Sequence, residues 1–109
     1  MVFVAGQVGR DPGSDDGGQM ADGFAAQTAQ VFENLVAVLG AGGAGPEHIA
    51  HMTWYVTDLD AYRAAGRDIG AAYRETLGKH FPSMTMVQVV GLVDSEALVE
   101  IECFGVVPD

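Results

Sequence analysis

A chain of 109 residues has room for one domain, which buries only about two-thirds of its unfolded surface, so association with other copies is a natural source of stability. Fifteen acidic residues against five basic ones give a formal net charge of −10, a field that repels phosphate backbones and argues against nucleic acid as a partner. No apolar run approaches the ~20 residues of a membrane helix, the first six residues lack the basic region of a leader, and a single cysteine excludes an intrachain disulfide; these features predict a reducing, cytoplasmic setting.

Val2-Phe3-Val4 predicts a short strand, ended at Gly6. Residues 9–18 are rich in glycine and aspartate and predict a solvated loop. Asp22 is placed to cap a helix in which Phe24, Thr28, Val31, Phe32, Leu35, Val38 and Leu39 recur on one side through Gly40. The glycines at 40, 42, 43 and 45 stop that helix, and Pro46 opens a short turn. His51–Thr57 is aromatic and β-branched, which predicts a strand with Trp54 and Tyr55 on opposite sides. Asp58–Asp60 then turns and caps a second helix from about Ala61 to Gly78, with a buried stripe of Tyr62, Ala65, Ile69, Ala72, Tyr73 and Thr76. Two final strands, Met84–Val90 and Leu98–Val107, are separated by the turn at 91–96.

The order strand, helix, strand, helix, strand, strand predicts a two-layer α+β domain with two helices on one face of a mixed sheet. Both sides of the last two strands are largely apolar. The helices can cover only one of them, so the other face is expected to pack against another subunit.

Glu100 and Glu102 stand out within the otherwise apolar Ala97–Val107 segment. Strand alternation puts both on one face, with Cys103 on the other as a small core hydrophobe. Burying a carboxylate costs several kcal/mol unless donors or a cation meet it. Two readings stay open: a rim position satisfied by water and backbone, or a place in an intersubunit cleft where a carboxylate handles a proton or orients water. Arg63, Arg67 and Arg74 fall in an arc opposite the second helix's apolar stripe, which predicts solvent positions, while Arg10 is the basic residue freest to reach a cleft. His48, His51 and His80 lack metal-ligand spacing, and Ser83, Thr85 and Ser95 form no recognisable triad with them, so neither a metal nor a cofactor is expected. His80 is expected to make local hydrogen bonds.

Across nearly the whole chain, in matching order, Val2–Gln7, Gln27-Thr28, Glu33-Asn34-Leu35, Val56–Leu59, His80-Phe81-Pro82, Val87-Gln88-Val89 and Leu98–Glu102 resemble the Rid family, also called YjgF/YER057c/UK114. The resemblance implies a chorismate-mutase-like α+β subunit in a homotrimer, with small-molecule clefts between subunits. It also implies hydrolysis of reactive enamines or imines, such as 2-aminoacrylate, to 2-keto acids and ammonia. The water-positioning glutamate of that pattern falls on Glu102, with Glu100 its less directly placed neighbour. Met84 and Met86, Gly6 and Gln7 fall on substrate-binding positions. The chain also departs from the pattern. Met84 stands where the catalytic subgroup's Phe-Pro-Ala-Arg-Ser has its carboxylate-clamping arginine, Ala5 replaces a serine, and Gly66 replaces a helix asparagine. The family's first strand, with its Gly-Pro-Tyr-Ser region, is absent, so the 1–109 domain is expected to lack it. A methionine cannot make arginine's bidentate contact. The resemblance therefore implies a hydrolase with altered specificity, for a neutral imine, enamine or carbonyl. The alternative is a non-catalytic binding or protein-interaction module on the same scaffold. RNA cleavage, also associated with the family, is disfavoured by the acidic charge.

Overall fold

Strand β1 (Val2–Val8) and helix α1 (Phe24–Ala41) lead to a 3-10 turn at Pro46–His48 and strand β2 (Ile49–Val56). Helices α2 (Leu59–Ala64) and α3 (Gly66–Thr76) then precede strands β3 (Ser83–Gln88) and β4 (Val99–Gly105). The structure is a computed structural model that describes residues 1–13 and 18–109. The loop expected at 9–18 falls partly on residues 14–17, outside the described residues.

The sheet has the order β1-β4-β2-β3; β4 runs antiparallel to both its neighbours and β3 parallel to β2. One face carries Met52, Trp54 and Val56 of β2 and Val99, Ile101 and Cys103 of β4. These pack with Val31, Phe32, Leu35 and Leu39 of α1 and Ile69 of α3 into the core. The result is the α+β arrangement expected, a four-stranded mixed sheet with its main helices on one side.

The elements differ from the local reading in three places. Gly23, not Asp22, precedes α1, and its φ of 92° is a conformation that favours glycine over any residue with a Cβ. The second helix is two pieces, broken at Ala65, where ψ rises to 7° and the amide is shared between Ala61 O and Tyr62 O. Gly66, a poor helix former, follows directly and makes the interruption inexpensive. Finally, β1 does not end at Gly6. Its pairing with β4 shifts between Val4, opposite Cys103, and Gln7, opposite Ile101. Three residues of β1 are thus spanned against two of β4, which is a β-bulge at Ala5-Gly6.

Buried polar side chains of α1 tie down the sheet's ends. Asn34 Nδ2 donates to Val8 O at 3.0 Å and Arg10 O at 2.8 Å, while Gln27 accepts from Leu98 N–H at 2.8 Å and donates to Glu96 O at 3.2 Å. The end of β1 passes so close to α1 that a Cβ at Gly9 would lie 2.7 Å from Gln27 Cα. Gly9→Ala is therefore expected to destabilise the chain by about 1–3 kcal/mol, because backbone must yield. Denaturant unfolding checks this, and an unchanged midpoint would contradict the contact.

Cys103 is 5% exposed, and burial pushes its thiol up to about 11. The thiolate, not the thiol, reacts. Thiol reagents are thus expected to leave native Cys103 unmodified at pH 7–8, with labelling appearing near pH 11 or on unfolding. Rapid labelling of the native protein at neutral pH would contradict this.

Candidate functional site

The face of the sheet away from the helices carries the two glutamates. Cross-strand pairing sets Thr53 opposite Glu102, Tyr55 opposite Glu100 and His51 opposite Phe104, all on this face. Among the described residues nothing covers it: Phe3 is 73% exposed, and Glu102 and Val87 are also exposed. Phe3, Ala5, His51, Thr53, Glu102 and Phe104 line a half-open depression of about 450 Å³ there.

The two carboxylates have different surroundings. Glu102 Oε1 accepts the Tyr55 hydroxyl at 2.8 Å, and this hydrogen bond is the main cause holding that hydroxyl above the ordinary tyrosine range. Glu100 is half-buried and has no hydrogen-bond or ion-pair partner among the described residues. Its carboxylate lies over the bulge of β1: a Cβ on Gly6 would stand 2.8 Å from Glu100 Cδ. Gly6 thus leaves the space that the carboxylate occupies. Gln7 bonds locally, Nε2 to Ala5 O at 3.0 Å, and the bulge sets it opposite Ile101 and not opposite a glutamate.

Met84 and Met86 lie elsewhere. Parallel pairing aligns them with Met52 and Trp54, on the helix side of the sheet, so one subunit does not bring either methionine together with Glu102. Met86 packs against the core. Met84 edges a second hollow of about 220 Å³ that also includes Trp54, Tyr62, Gly66, Phe81 and Arg74. The two positions at which the sequence departs most from the catalytic subgroup, 84 and 66, therefore meet in one hollow.

One basic residue departs from its local reading. Arg10 was expected to be free to reach a cleft. Instead its guanidinium is bidentate on Asp94, at 2.6 and 3.0 Å, and also reaches Glu96 and Gly18 O. That bond holds the Asp94 carboxyl below the usual carboxylate range. Arg74 is exposed, the solvent position expected of it, and it also lines the hollow beside Met84.

The serine and histidines have structural partners. Ser83 Oγ donates to Ala50 O at 3.1 Å and lies 2.7 Å from His51 Nδ1. These contacts tie β2 to β3. His80 Nε2 donates to Ile49 O at 2.7 Å, the local bonding expected of it.

Sequence reasoning missed Tyr55 and Arg74. Alternation gave the face of Tyr55, but its partner depends on strand register. Periodicity places Arg74 only relative to its own helix, and its neighbours across the hollow come from tertiary packing.

A profile of the family described as Endoribonuclease L-PSP matches residues 1–107. The RutC family protein UK114 of Drosophila melanogaster is 33% identical over 104 residues, covering 95% of this chain and 70% of that protein. The human 2-iminobutanoate/2-iminopropanoate deaminase is 26% identical over 106 residues, covering 96% of this chain and 72% of that protein. Among solved structures, RidA from an Antarctic Psychrobacter superposes with a TM-score of 0.76 at 30% identity, covering 93% of this chain and 76% of that one. With a profile match over nearly its whole length and a shared fold, the chain belongs to the Rid family, the YjgF/YER057c/UK114 proteins.

Proposed function

We propose that this protein hydrolyses a reactive imine or enamine to the carbonyl compound and ammonia, in a cleft completed by a neighbouring copy within a cytoplasmic homotrimer. The observation that carries the reading is Glu100: a half-buried carboxylate without a hydrogen-bond or ion-pair partner among the described residues, on an uncovered sheet face. The human relative's name, a deaminase of imino acids, supports the reaction class.

An enamine first takes a proton on carbon to become the iminium ion, which loses a proton from nitrogen to give the imine. Water then attacks the imine carbon while Glu100 accepts a water proton, and the C=N electron pair passes to nitrogen, which is protonated. The resulting carbinolamine collapses: the C–O bond becomes a carbonyl, the C–N bond breaks and ammonia leaves. Glu100 shuttles the proton and ends as it began. The sequence reading gave this role to Glu102. The geometry favours exchanging the two, because Glu102 is already engaged by Tyr55. Gly6 leaves room for the carboxylate, and the bulge takes Ala5-Gly6 out of the regular β1–β4 pairing, with Ala5 O held instead by Gln7 Nε2.

Met84 and Met86, on the opposite side of the sheet, enter the same cleft only if a second copy brings them there. Phe3 and Val87, exposed on the open face, are the apolar groups such an assembly would bury. A second reading, a binding module without turnover, is favoured by methionine in place of the clamping arginine.

The test is an assay in which short-lived imines are generated in place from a panel of amines, with carbonyl release followed in time. Acceleration by the wild type and not by Glu100→Gln supports hydrolysis. No acceleration across the panel by an intact trimer leaves the binding module. A monomer by light scattering at micromolar concentration would overturn the assembly.

A further inference from the structure

We infer that Met52, Met84 and Met86 form a thioether site for a soft monovalent metal ion, of the copper(I) and silver(I) class, at the β3 edge of the sheet.

Strand register brings the sulfur residues together. Parallel pairing sets Met52 of β2 directly beside Met84 of β3, about 4.8 Å from strand to strand. Met86 follows two residues on, about 6.6 Å along β3 and on the same face. Antiparallel pairing sets Cys103 of β4 on the other side of Met52. Four of the chain's six sulfur residues are therefore neighbours on the helix side of the sheet, with only Met1 and Met20 elsewhere.

Strand propensity does not account for three methionines at these positions. Strands favour β-branched and aromatic residues, and Val56, Val99 and Ile101 fill buried positions on the same face. Methionine fills irregular gaps in cores, yet Met84 is 45% exposed and borders an open hollow. What the three positions share is a thioether.

Their exposure falls in steps, from Met84 through half-buried Met86 to Met52 at 1%. Strand β3 is an edge strand, and the hollow of about 220 Å³ beside Met84 gives an ion a way in. Met52 then forms the floor. Each methionine has three rotatable side-chain bonds, so the sulfurs can turn toward one ion. Thioether sulfur selects soft ions such as copper(I).

Harder ions fit poorly. Among the described residues no three His, Cys, Asp or Glu side chains come together to hold a metal, and histidine spacing argues the same way. Thioethers are a different class of ligand. Among the described residues Arg74 is the one charged side chain lining the hollow. A cation beside it disfavours an ion held by charge alone and leaves one held by bonds to sulfur. The formal charge of −10 raises the concentration of cations around the chain as a whole. Cys103 lies behind Met52, 5% exposed and kept a thiol by burial, so an arriving ion meets thioethers first. The site does not depend on imine hydrolysis.

Silver(I), supplied as the nitrate in chloride-free buffer, is the probe. Calorimetric titration of the full chain should show one saturable site per subunit. The fluorescence of Trp54, the chain's one tryptophan and the register partner of Met86, should change with the same midpoint. Titrations in two buffers of different ionisation enthalpy should agree, because a thioether has no proton to release whereas a thiol releases one on binding metal. Excess zinc(II) should not compete. Met84→Leu and Met86→Leu should each weaken binding by about ten-fold or more, since loss of even an outer-shell partner costs about 10- to 100-fold. Leucine conserves volume at both positions, and thermal transitions check that each variant is folded. The assignment is overturned by the lack of a saturable site, by proton release on binding, or by competition from zinc(II). Undiminished binding in either folded variant overturns it too, and would place the ion on other sulfur, such as Met1 or Met20.

Discussion

Replacing Glu100 with glutamine is expected to slow imine hydrolysis by about 10²- to 10⁴-fold, the contribution typical of a positioned general base. The substitution keeps the side chain's shape and removes its proton affinity, so the loss should fall on kcat and leave KM little changed. Glu102→Gln should behave differently. Its amide oxygen can still accept the Tyr55 hydroxyl, and the change costs a charge-assisted bond for a neutral one, which is worth about ten-fold or less in rate. The pair of variants thus reads the division of labour directly. A Glu102→Gln variant as inactive as Glu100→Gln is unresolved only if both fail to assemble, and light scattering separates that case. If Glu102→Gln alone is inactive, the roles assigned to the two carboxylates are reversed.

Phe32→Ala carries the largest expected effect on stability, about 3–5 kcal/mol. Phe32 is fully buried, at 0% exposure, and meets Trp54 edge-on at 5.6 Å and Tyr73 edge-on at 5.5 Å. It is the contact through which α1 supports both β2 and α3, so truncation leaves a cavity between layers and not at a margin that can collapse. Domains of this size are stable by only about 5–15 kcal/mol. The thermal midpoint should therefore fall by more than about 10 °C at fixed protein concentration. A shift of only a degree or two would mean that the core repacks around the loss.

Much of the fold was legible because its cues are local. Alternation separated Trp54 from Tyr55 and Cys103 from the two glutamates, since a strand's side chains change face at each residue. The helix period found Val31, Phe32, Leu35 and Leu39 as core, and order along the chain then matched the Rid pattern. The misplaced helix boundaries were local too, but they turned on backbone angles at Gly23 and Ala65 that side-chain periodicity does not encode.

The site is where sequence reasoning stopped. Glu100 and Glu102 are indistinguishable by alternation, since they share a face and the same apolar setting. Their difference comes from residues far along the chain: Tyr55 reaches Glu102 from β2, and the bulge in β1 sets Gly6 beneath Glu100. A two-residue shift of either pairing would exchange these neighbours without changing the face, and register belongs to the sheet as a whole. The same holds for Met84 and Arg74. Strand alternation could name the methionine's companions on its own strand, but only parallel pairing with β2 put Met84 on the helix side, and only the packing of α3 brought an arginine beside it. Composition and period were enough for the layers and the family. Which carboxylate is left free, and which cation stands beside the aromatic hollow, depended on contacts between segments that no local pattern records.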